Sequence, residues 1–435
     1  MSENKNMVSY CGKKLLFIGA SLYACDLINL AKKMGVYTIV TDYYPNAPAK
    51  RIADKSYDVS TLDYEGVLRI AIENEVDAIT TGWSDINLTI ARAVCDELHL
   101  PFYATKEQIA ATLNKRSFKR LCMESGVPVV PEYLVDEALD DNELNKIEYP
   151  VVVKPVDNGA SKGVYLCKDA RDLKDNYPRA LAYSYCKDAI IERFMPGGMV
   201  FFYYTIQDGY ISLSAMMDKY VEEELPNVIP HFTALVFPSK YLNGRHLQFH
   251  GKVCSMVKRL ELQNGTFFLE TYIDDDGMLC AGEMGYRLGG AREYRIISQE
   301  NGINSLQMYL NHAMTGKFSG WDIKVEDNPH FKHMYAVLVI VLGNGTISKV
   351  EGIDEVITSP GVFDFMQLRH IGDTIAATGN ADDYFARVYV TGDNAVSLAE
   401  RIKRVQNLLK VLDENGNNML LSGFNAEILL KDYVL

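Results

Sequence analysis

Short apolar runs alternate with amphipathic stretches over the N-terminal part of the chain. Runs that predict buried strands lie at residues 14–18, 38–41 and 78–81. Stretches that predict helices lie at residues 26–34 and 64–74. Strands that alternate with helices indicate a parallel sheet wound with crossover connections, and Gly19 suits the tight turn after the first strand. The second and third glycines of a dinucleotide fingerprint are missing, so the pattern favours a doubly wound domain with another role.

Farther along, strands follow one another with fewer helices between them. Residues 105–125 read as helical, and Pro128 and Pro131 end that stretch. The strands predicted after it lie at 150–154, 164–167, 189–194, 201–207, 211–217, 267–273, 279–284, 334–342, 346–352 and 382–391. An amphipathic helix is predicted at 394–412. The pattern therefore predicts an α/β start followed by a mixed α+β remainder.

Composition and charge narrow the class of protein. The chain has 435 residues, of which 48% are hydrophobic, and this suggests several structural units with sizeable cores. A net charge of −13 argues against a nucleic-acid binder, which would carry a basic face. The eight cysteines are scattered without a Cys-x-x-Cys pair, as expected for buried thiols in a reducing cytoplasm. The sequence shows no run of about 18 apolar residues, so we expect no membrane span and a cytoplasmic location.

A lysine at the end of one predicted strand faces a loop of small residues. Lys154 ends that strand, and the loop Asp157-Asn-Gly-Ala-Ser-Lys-Gly163 follows it. Exposed backbone N–H groups and one point charge can together hold a polyphosphate. The Walker A pattern is absent, and an ordinary β-hairpin with an exposed lysine is the alternative.

Two glutamates lie on strands that a short turn connects. Glu270 and Glu283 flank the turn Asp274-Asp-Asp-Gly277, so a hairpin would place their carboxylates side by side. Adjacent carboxylates repel each other, and a bound Mg²⁺ relieves that repulsion because it favours carboxylates together with phosphate oxygens. Two solvated glutamates on a surface hairpin are the alternative.

Three arginines follow the second glutamate in the segment Arg287-Leu-Gly-Gly-Ala-Arg292-Glu-Tyr-Arg295. A guanidinium group is always charged and binds carboxylate or phosphate in a bidentate way. Arg287 therefore suits an anionic intermediate beside the acid pair. For Arg292 and Arg295, salt bridges to nearby acids are an equally good interpretation.

Taken in order, these features resemble the ATP-grasp superfamily. The likeness is to the branch with biotin carboxylase, the carbamoyl-phosphate synthetase large subunit and the purine-pathway carboxylate–amine ligases. It covers about residues 13–320 and includes Phe17-Ile-Gly-Ala20, Thr80-Thr-Gly-Trp-Ser-Asp85 and Asn114-Lys115. The resemblance implies an N-terminal doubly wound domain at 1–110 and a two-lobed nucleotide-binding domain at 111–320, with a flexible lobe at about 128–190. It also implies a β-rich C-terminal domain at 330–435.

The resemblance assigns roles to individual residues. The residues it places at ATP are Lys115, Lys154, Ser161, Lys162 and Gly163 for the phosphates, and Glu192, Arg193 and Phe194 for adenine. The metal ligands it implies, for Mg²⁺ or Mn²⁺, are Glu270 and Glu283. The catalytic residues are Arg287, which would steady the acyl phosphate or the substrate carboxylate, and Lys219, in a segment near the phosphates. The candidates for the substrate pocket are His231, Arg292 and Arg295.

Two departures from the family pattern affect the expected site. The last motif is usually Glu-x-Asn-x-Arg, whereas this chain has Glu283-Met-Gly-Tyr-Arg287 and so lacks one metal or phosphate contact. An acid that commonly follows the adenine strand and holds ribose is also absent, because Gly197-Gly-Met-Val200 stands there. Ribose contacts must therefore differ from those of the family.

The resemblance implies an ATP- and magnesium-dependent carboxylate–amine ligase that works through an acyl phosphate. The partners expected are a small-molecule carboxylate and an amine, with no nucleic acid and no membrane. Two alternatives remain open: an enzyme that activates bicarbonate, as carboxylases do, and a nucleotide-binding subunit without catalysis. The C-terminal domain would either cap the acceptor site or form the contact of a homodimer.

Overall fold

The computed structural model describes residues 7–136, 139–159, 162–221, 232–242, 244, 246–377 and 381–433. Two of the predicted site residues, Ser161 and His231, lie outside these ranges. Within the described ranges, no helix combines the length and the apolar character that crossing a membrane requires.

The N-terminal region has the predicted doubly wound arrangement. Its elements are β1 (Lys14–Ile18), α1 (Ala24–Lys33), β2 (Tyr37–Thr41), a 3-10 helix (Pro48–Arg51), β3 (Lys55–Tyr57), α2 (Tyr64–Asn74), β4 (Ala78–Thr80) and α3 (Asp85–Glu97). The strands are parallel, in the order β3–β2–β1–β4. Leu15 and Phe17 pack into the core on one face of β1, and Leu16 and Ile18 pack on the other. Burial of both faces explains why this strand reads as an unbroken apolar run.

The helical stretch predicted at 105–125 is divided into α4 (Lys106–Leu113) and α5 (Lys115–Glu124). Asn114 has an extended backbone, and its side chain accepts hydrogen bonds from the N–H groups of Arg116 and Ser117. Asparagine competes well for such N-terminal N–H groups, so it ends one helix and begins the next. The break places Lys115 at the first position of α5.

A smaller lobe follows, built on an antiparallel sheet. Its elements are β5 (Glu132–Tyr133), α6 (Asp141–Leu144), β6 (Val151–Pro155), β7 (Tyr165–Cys167), α7 (Ala170–Tyr183) and β8 (Ala189–Arg193). The strands lie in the order β5–β8–β6–β7. Leu173 and Tyr177 of α7 pack against Val151 and Val153 of β6 and give the lobe a core of its own.

A larger antiparallel sheet forms the centre of the molecule. The elements of this part are β9 (Met199–Gln207), β10 (Tyr210–Val221), β11 (Phe232–Phe237), α8 (His246–Arg259), β12 (Gly265–Ile273), β13 (Leu279–Gly285), α9 (Glu293–Asn301), α10 (Ser305–Thr315) and α11 (Ile323–Glu326). The strands of this part are ordered β13–β12–β9–β10–β11.

The C-terminal region is β-rich, as predicted, and it extends the same sheet. Its elements are β14 (Met334–Val341), β15 (Gly345–Glu351), α12 (Ile353–Ile357), β16 (Val362–Gln367), β17 (Thr374–Ile375), a 3-10 helix (Ala381–Asp383), β18 (Tyr384–Gly392), α13 (Ala395–Leu408), β19 (Lys410–Asp413) and α14 (Glu427–Tyr433). The strands β14, β18 and β16 continue the large sheet beyond β11. A domain boundary near residue 330 stays a prediction, because backbone hydrogen bonds run across it.

The helix predicted at 394–412 ends at Leu408, and the last part of that stretch forms β19 instead. Val411 there is fully buried and β19 pairs with β15, so tertiary pairing overrides the helical pattern. Two shorter helices that the pattern did not predict, α12 and α14, accompany α13 in this region.

Candidate active site

The acid pair lies on the β12–β13 hairpin, as the sequence predicted. Glu270 and Glu283 stand directly opposite each other in the strand register. From the start of α5, the Lys115 Nζ atom lies 3.1 Å from Glu283 Oε2 and donates a hydrogen bond of 2.7 Å to the carbonyl oxygen of Asn158. Burial by itself raises the pKa of Glu283, but Lys115 and Lys154 outweigh this and the pKa is lowered. Glu283 is therefore held ionised.

A second ionic group lies behind the pair, in the smaller lobe. Glu192 of β8 is almost fully buried, and its carboxylate oxygens lie 2.6 Å from the Nζ atoms of Lys154 and Lys119. Burial raises the pKa of Glu192, yet the two lysines outweigh burial and lower it. Burial lowers the pKa of Lys154, yet Glu192 outweighs burial and raises it. Glu192 and Lys154 therefore both stay charged in the interior.

The backbone N–H groups in the segment that the resemblance assigns to adenine already donate hydrogen bonds within the protein. The N–H of Arg193 donates to the carbonyl oxygen of Pro131, and the N–H of Phe194 donates to that of Pro150. The Glu192 carboxylate is also engaged, with the two lysines. A role for these three residues at adenine stays a prediction.

The small-residue loop is anchored at its first residue. Asp157 accepts hydrogen bonds from the Ser184 hydroxyl at 2.8 Å and from the N–H groups of Tyr185 and Cys186. Gly163, near the end of the loop, has φ +74°, and a side chain there would meet Tyr183 at 2.7 Å. Glycine is required for this turn because an L side chain would be strained and would clash.

Arg287 contacts a carboxylate that the sequence reasoning did not assign to the site. Its Nε and Nη2 atoms lie 2.7 and 2.5 Å from the two carboxylate oxygens of Asp85, at the start of α3. The guanidinium also lies 5.1 Å from the ring centroid of Phe268. The segment Thr80-Thr-Gly-Trp-Ser-Asp85 at the end of strand β4 was the available signal for Asp85. Its partner Arg287 comes from more than 200 residues away, so spacing along the chain did not reveal the pair.

A cleft of about 250 Å³ lies between these groups. The N-terminal region contributes Trp83 and Asp85, the smaller lobe contributes Lys162, and Lys115, Glu283 and Arg287 complete the charged lining. Both signs of charge thus face one space at the junction of three parts of the chain. Such a lining suits a polyphosphate with a divalent cation, together with a small anionic substrate.

The missing Asn of the last motif has a packing explanation. Gly285 stands opposite Phe268 in the β12–β13 register. A Cβ atom at residue 285 would lie 2.3 Å from the Phe268 ring. The ring therefore occupies the space that a side chain at 285 would need, and Phe268 contacts Arg287 from the same position.

Lys219 lies on β10 among aromatic rings. Its Nζ atom is 5.8 Å from the ring centroid of Phe201 and 5.1 Å from that of Phe232. Phe201 in turn packs near Phe268, which contacts Arg287. The neighbouring Asp218 is buried and accepts hydrogen bonds from Ser239 and Lys240. A catalytic role for Lys219 near the phosphates stays a prediction.

Arg292 and Arg295 lie in an ionic network that joins three regions. Arg292 is buried, with nitrogens 2.6 Å from Asp26 of α1 and 2.5 Å from Asp364 of β16. Arg295 shares both carboxylates, at 3.6 and 3.1 Å. The contacts are those of the salt-bridge interpretation, and a role for either residue in a substrate pocket stays a prediction.

Comparisons with known proteins agree with this architecture. Residues 338–412 match the family model described as L-amino acid ligase C-terminal domain 2. The crystal structure of L-amino acid ligase from Bacillus licheniformis superposes with a TM-score of 0.77 at 20% identity, covering 94% of this chain and all of that one. The biotin carboxylase domain dimer of Hydrogenobacter thermophilus 2-oxoglutarate carboxylase, in complex with MgADP, ADP and bicarbonate, gives a TM-score of 0.73 at 17% identity. That match covers 96% of this chain and 93% of the neighbour.

Curated relatives match over part of their length. Formate-dependent phosphoribosylglycinamide formyltransferase from Methanocaldococcus jannaschii is 27% identical over 163 residues, which is 37% of this chain and 42% of the relative. The 2-oxoglutarate carboxylase small subunit from Hydrogenobacter thermophilus is 24% identical over 338 residues, which is 72% of this chain and 65% of the relative. The chain thus spans less than two thirds of either relative. Similarity over almost the whole chain in structure, together with these sequence matches, shows that the chain has the ATP-grasp fold.

Proposed function

We propose that this protein is an ATP-dependent ligase that activates a carboxylate as an acyl phosphate and joins the acyl group to an amine. The observation that carries the proposal is the single cleft lined by Lys115, Glu283 and Arg287. Phosphoryl transfer relies mainly on positioning and on neutralising charge, and these side chains supply both. One structural neighbour, the biotin carboxylase domain dimer, is in complex with MgADP, and this supports the same choice of nucleotide and metal.

The lysines would neutralise the polyphosphate of ATP. Lys115 lines the cleft, and Lys154 is held charged behind it by Glu192 at 2.6 Å. Lys162, on the loop that follows the β6 strand, also lines the cleft and would add a third positive charge. Closing of this loop would exclude water, which otherwise hydrolyses an acyl phosphate.

The two glutamates fit a divalent cation. Glu270 and Glu283 are adjacent in register, and Glu283 is held ionised, so both can offer oxygens to Mg²⁺ or Mn²⁺. When bound, the cation would offset charge on the phosphate oxygens during transfer. The chain's own contribution is to hold these carboxylates at the end of a rigid hairpin beside Lys115.

The joining step would take place near Arg287. A substrate carboxylate oxygen attacks the γ-phosphorus and ADP leaves; the amine nitrogen then attacks the acyl carbon, and inorganic phosphate leaves. Arg287, fixed by Asp85 in a bidentate contact, would steady the carboxylate before the first step. The match of residues 338–412 to an L-amino acid ligase domain supports amino acids as substrates.

The test combines ADP release with trapping of the acyl phosphate. The full chain is incubated with Mg–ATP, a panel of carboxylates that includes amino acids, and hydroxylamine, which converts an acyl phosphate into a hydroxamate. We expect ADP and hydroxamate in equal amounts for at least one carboxylate. Glu283→Gln should lower the rate by about 100-fold or more, since an oxygen ligand and a charge are lost at the transferring group.

Glu124→Gln is the matched control, because Glu124 pairs with Arg259 on the surface at 2.8 Å and lies away from the cleft. Equal rates for Glu283→Gln and Glu124→Gln would contradict the assignment of the site. Nucleotide binding without ADP release on any carboxylate would favour a binding subunit instead.

Bicarbonate is the second candidate substrate. It is favoured by the alignment over 338 residues with the 2-oxoglutarate carboxylase small subunit. ADP release driven by bicarbonate alone, with no carboxylate in the panel giving a hydroxamate, would replace the ligase by an enzyme that activates bicarbonate.

A further inference from the structure

The loop of residues 286–292 connects β13 to α9 and carries Arg287, which lines the cleft. Two successive glycines, Gly289 and Gly290, lie in the middle of this loop. Glycine leaves the backbone the widest choice of conformations, and neither residue has a side chain that could pack against the core. At the two glycines, the path of the chain is therefore fixed through backbone polar groups.

The N–H group of the first glycine is held from α9. Glu293, at the start of that helix, is buried and accepts a hydrogen bond of 2.8 Å from the N–H of Gly289. A Cβ atom at residue 289 would lie 2.6 Å from Glu293 Oε2. The absence of a side chain thus lets the carboxylate approach the backbone closely.

Two carbonyl groups of the loop are held from β18, in the C-terminal region. The Arg387 guanidinium donates a hydrogen bond to the carbonyl oxygen of Gly290. The Tyr389 hydroxyl donates to the carbonyl oxygen of Ala291 at 3.3 Å. Side chains two residues apart on a strand point to the same face, so both reach the loop from one side of the sheet. They are also hydrogen bonded to each other.

Burial increases the weight of these contacts. Arg387 and Tyr389 are both buried, so their donor groups depend on acceptors that the protein supplies. A charged donor also forms a hydrogen bond about twice as strong as a neutral one does. The guanidinium lies 5.8 and 5.9 Å from the ring centroids of Tyr23 and Phe232. Those ring contacts accommodate the group in the interior, but they do not explain why it is directed at the loop.

The side chain of Arg287 is fixed from another part of the molecule. Asp85 of α3 contacts its guanidinium through two atoms, at 2.7 and 2.5 Å. The N-terminal region thus holds the side chain, while β18 holds the backbone at Gly290, three residues farther along. A change in the path of the loop would therefore move the Arg287 backbone relative to Asp85 and to the cleft.

We propose that Arg387 and Tyr389 are positioning residues of the active site, because they fix the 286–292 loop and with it Arg287. The inference rests on the proposed function, in which Arg287 steadies the substrate carboxylate. A displacement of about 1 Å at a reacting group can cost about 100-fold in rate, so the loop requires such restraint. The C-terminal region would then contribute to catalysis through the loop, without contacting the substrate.

The first measurement does not depend on activity. Hydrogen–deuterium exchange of the full chain is followed for peptides that cover residues 286–292 and, for comparison, β12. In Arg387→Gln we expect exchange in the loop to be about tenfold faster or more, the effect of losing a hydrogen bond from a charged group, with β12 unchanged. Equal acceleration in both peptides would indicate a general loss of stability and would overturn the inference.

The second measurement uses the hydroxamate assay. Arg387→Gln should lower kcat/KM for the carboxylate by about 10- to 100-fold, because Arg287 is displaced. KM for ATP should stay within about threefold of wild type, since the lysines that would hold the phosphates lie outside the loop. A purely structural role would reduce the amount of folded enzyme and leave both KM values unchanged.

Tyr389→Phe keeps the ring and removes one donor, and it serves if Arg387→Gln does not fold. It should accelerate loop exchange and lower kcat/KM for the carboxylate by about 3- to 10-fold, as expected for a hydrogen bond between neutral groups. Loop exchange at the wild-type rate in this variant and in Arg387→Gln would contradict the inference. So would wild-type kinetics in a variant whose loop exchanges faster.

Arg401→Gln is the matched control. Arg401 of α13 also donates to a backbone carbonyl oxygen, that of Thr391 at 2.6 Å, but this contact lies within the C-terminal region. Loop exchange and hydroxamate kinetics should both stay within about twofold of wild type. The same losses in Arg401→Gln as in Arg387→Gln would show that any weakening of the C-terminal region has this effect.

The inference and the proposed function can fail separately. If the wild type gives no hydroxamate with any carboxylate, the proposed ligase fails, and faster loop exchange in the two variants would still support restraint of the loop by β18. If the wild type is active and the loop exchanges at the same rate in all variants, the proposed function stands and the inference is overturned.

Discussion

At the scale of single residues, the buried carboxylate of the smaller lobe and the lysines that contact it compensate each other's charge. Glu192 is shared by Lys154 and Lys119, each 2.6 Å away and each buried. Removing one member of such a group leaves an uncompensated charge in a medium that solvates it poorly. We therefore expect Glu192 to stabilise the lobe, and in the proposed function it would also hold Lys154 in place for phosphate.

The substitution Glu192→Gln tests this dependence. We expect a loss of about 3–5 kcal/mol in the free energy of unfolding, the usual penalty for breaking a buried ion pair from one side. Urea unfolding followed by circular dichroism measures it. Glu124→Gln, at a half-exposed surface pair, should change stability by less than about 1 kcal/mol. Similar losses in the two variants would mean that burial does not govern the effect.

His312 is expected to make the stability of the folded protein depend on pH. Burial lowers the pKa of this histidine from 6.5 to about 4. Between pH 6.5 and 4 the unfolded chain binds a proton that the folded chain does not, so stability falls as the pH falls through that window. From about pH 8 to about pH 5 the contribution of His312 is a loss of about 2 kcal/mol.

The measurement compares urea unfolding of the wild type and of His312→Gln at about pH 8 and about pH 5. Other titrating groups contribute to both proteins and cancel in the difference. The variant should lose about 2 kcal/mol less stability on acidification than the wild type does. Parallel losses would show that the His312 ring is protonated without penalty in the folded state.

At the scale of elements, the β12–β13 hairpin places several of the candidate site residues next to one another. Its register places Glu270 opposite Glu283 and Phe268 opposite Gly285. The Phe268 ring covers the glycine and reaches Arg287 at 5.1 Å. The departure from the family's usual Asn is thus coupled to an aromatic residue on the facing strand, as cross-strand pairs often are.

The coupling predicts a rescue experiment. Gly285→Ala should destabilise the chain by about 1–3 kcal/mol, because its Cβ overlaps the Phe268 ring and the packed hairpin resists the shift. In Phe268→Ala the same glycine substitution should have little additional effect, and a double-mutant cycle of melting measurements detects this. Gly251→Ala, in α8 with open space around the added methyl, is the control and should be neutral or slightly stabilising. Additive effects at 268 and 285 would contradict the explanation.

At the scale of the whole molecule, the cleft is defined by ionic contacts between distant parts of the chain. Arg287 joins the central sheet to α3 through Asp85, and Arg292 joins α1 to β16 through Asp26 and Asp364. Buried pairs of this kind favour one arrangement of the domains because alternatives leave a charge unpaired. These contacts link the N-terminal region to the central sheet and to β16.

Because Arg292 contacts two carboxylates, we expect the effects of removing them on stability to be non-additive. Asp26→Asn and Asp364→Asn should each lower stability by about 1–2 kcal/mol, because Arg292 keeps one carboxylate in either variant. The double variant should lose more than the sum, since Arg292 then becomes a buried charge without a partner. Thermal unfolding of the four proteins gives the coupling energy, and a strictly additive result would show that the network does not act as a unit.

The sequence by itself determined the order of most elements and the identity of the central charged residues. Strand β1 and helix α2 were predicted with the bounds that the structure has. A buried parallel strand leaves a short apolar run and an amphipathic helix leaves a periodic signal, so both can be read from the sequence. The pairing of Glu270 with Glu283 was also predictable, since a short turn fixes hairpin register.

Only the tertiary structure decided which side chains meet across the chain. Asp85 with Arg287, and Glu192 with two lysines, are arrangements of residues far apart in sequence. Local periodicity carries no information on them, because an ion pair depends on where folded elements end and not on spacing along the chain. The same reason explains β19, where pairing with β15 outweighed a helical pattern.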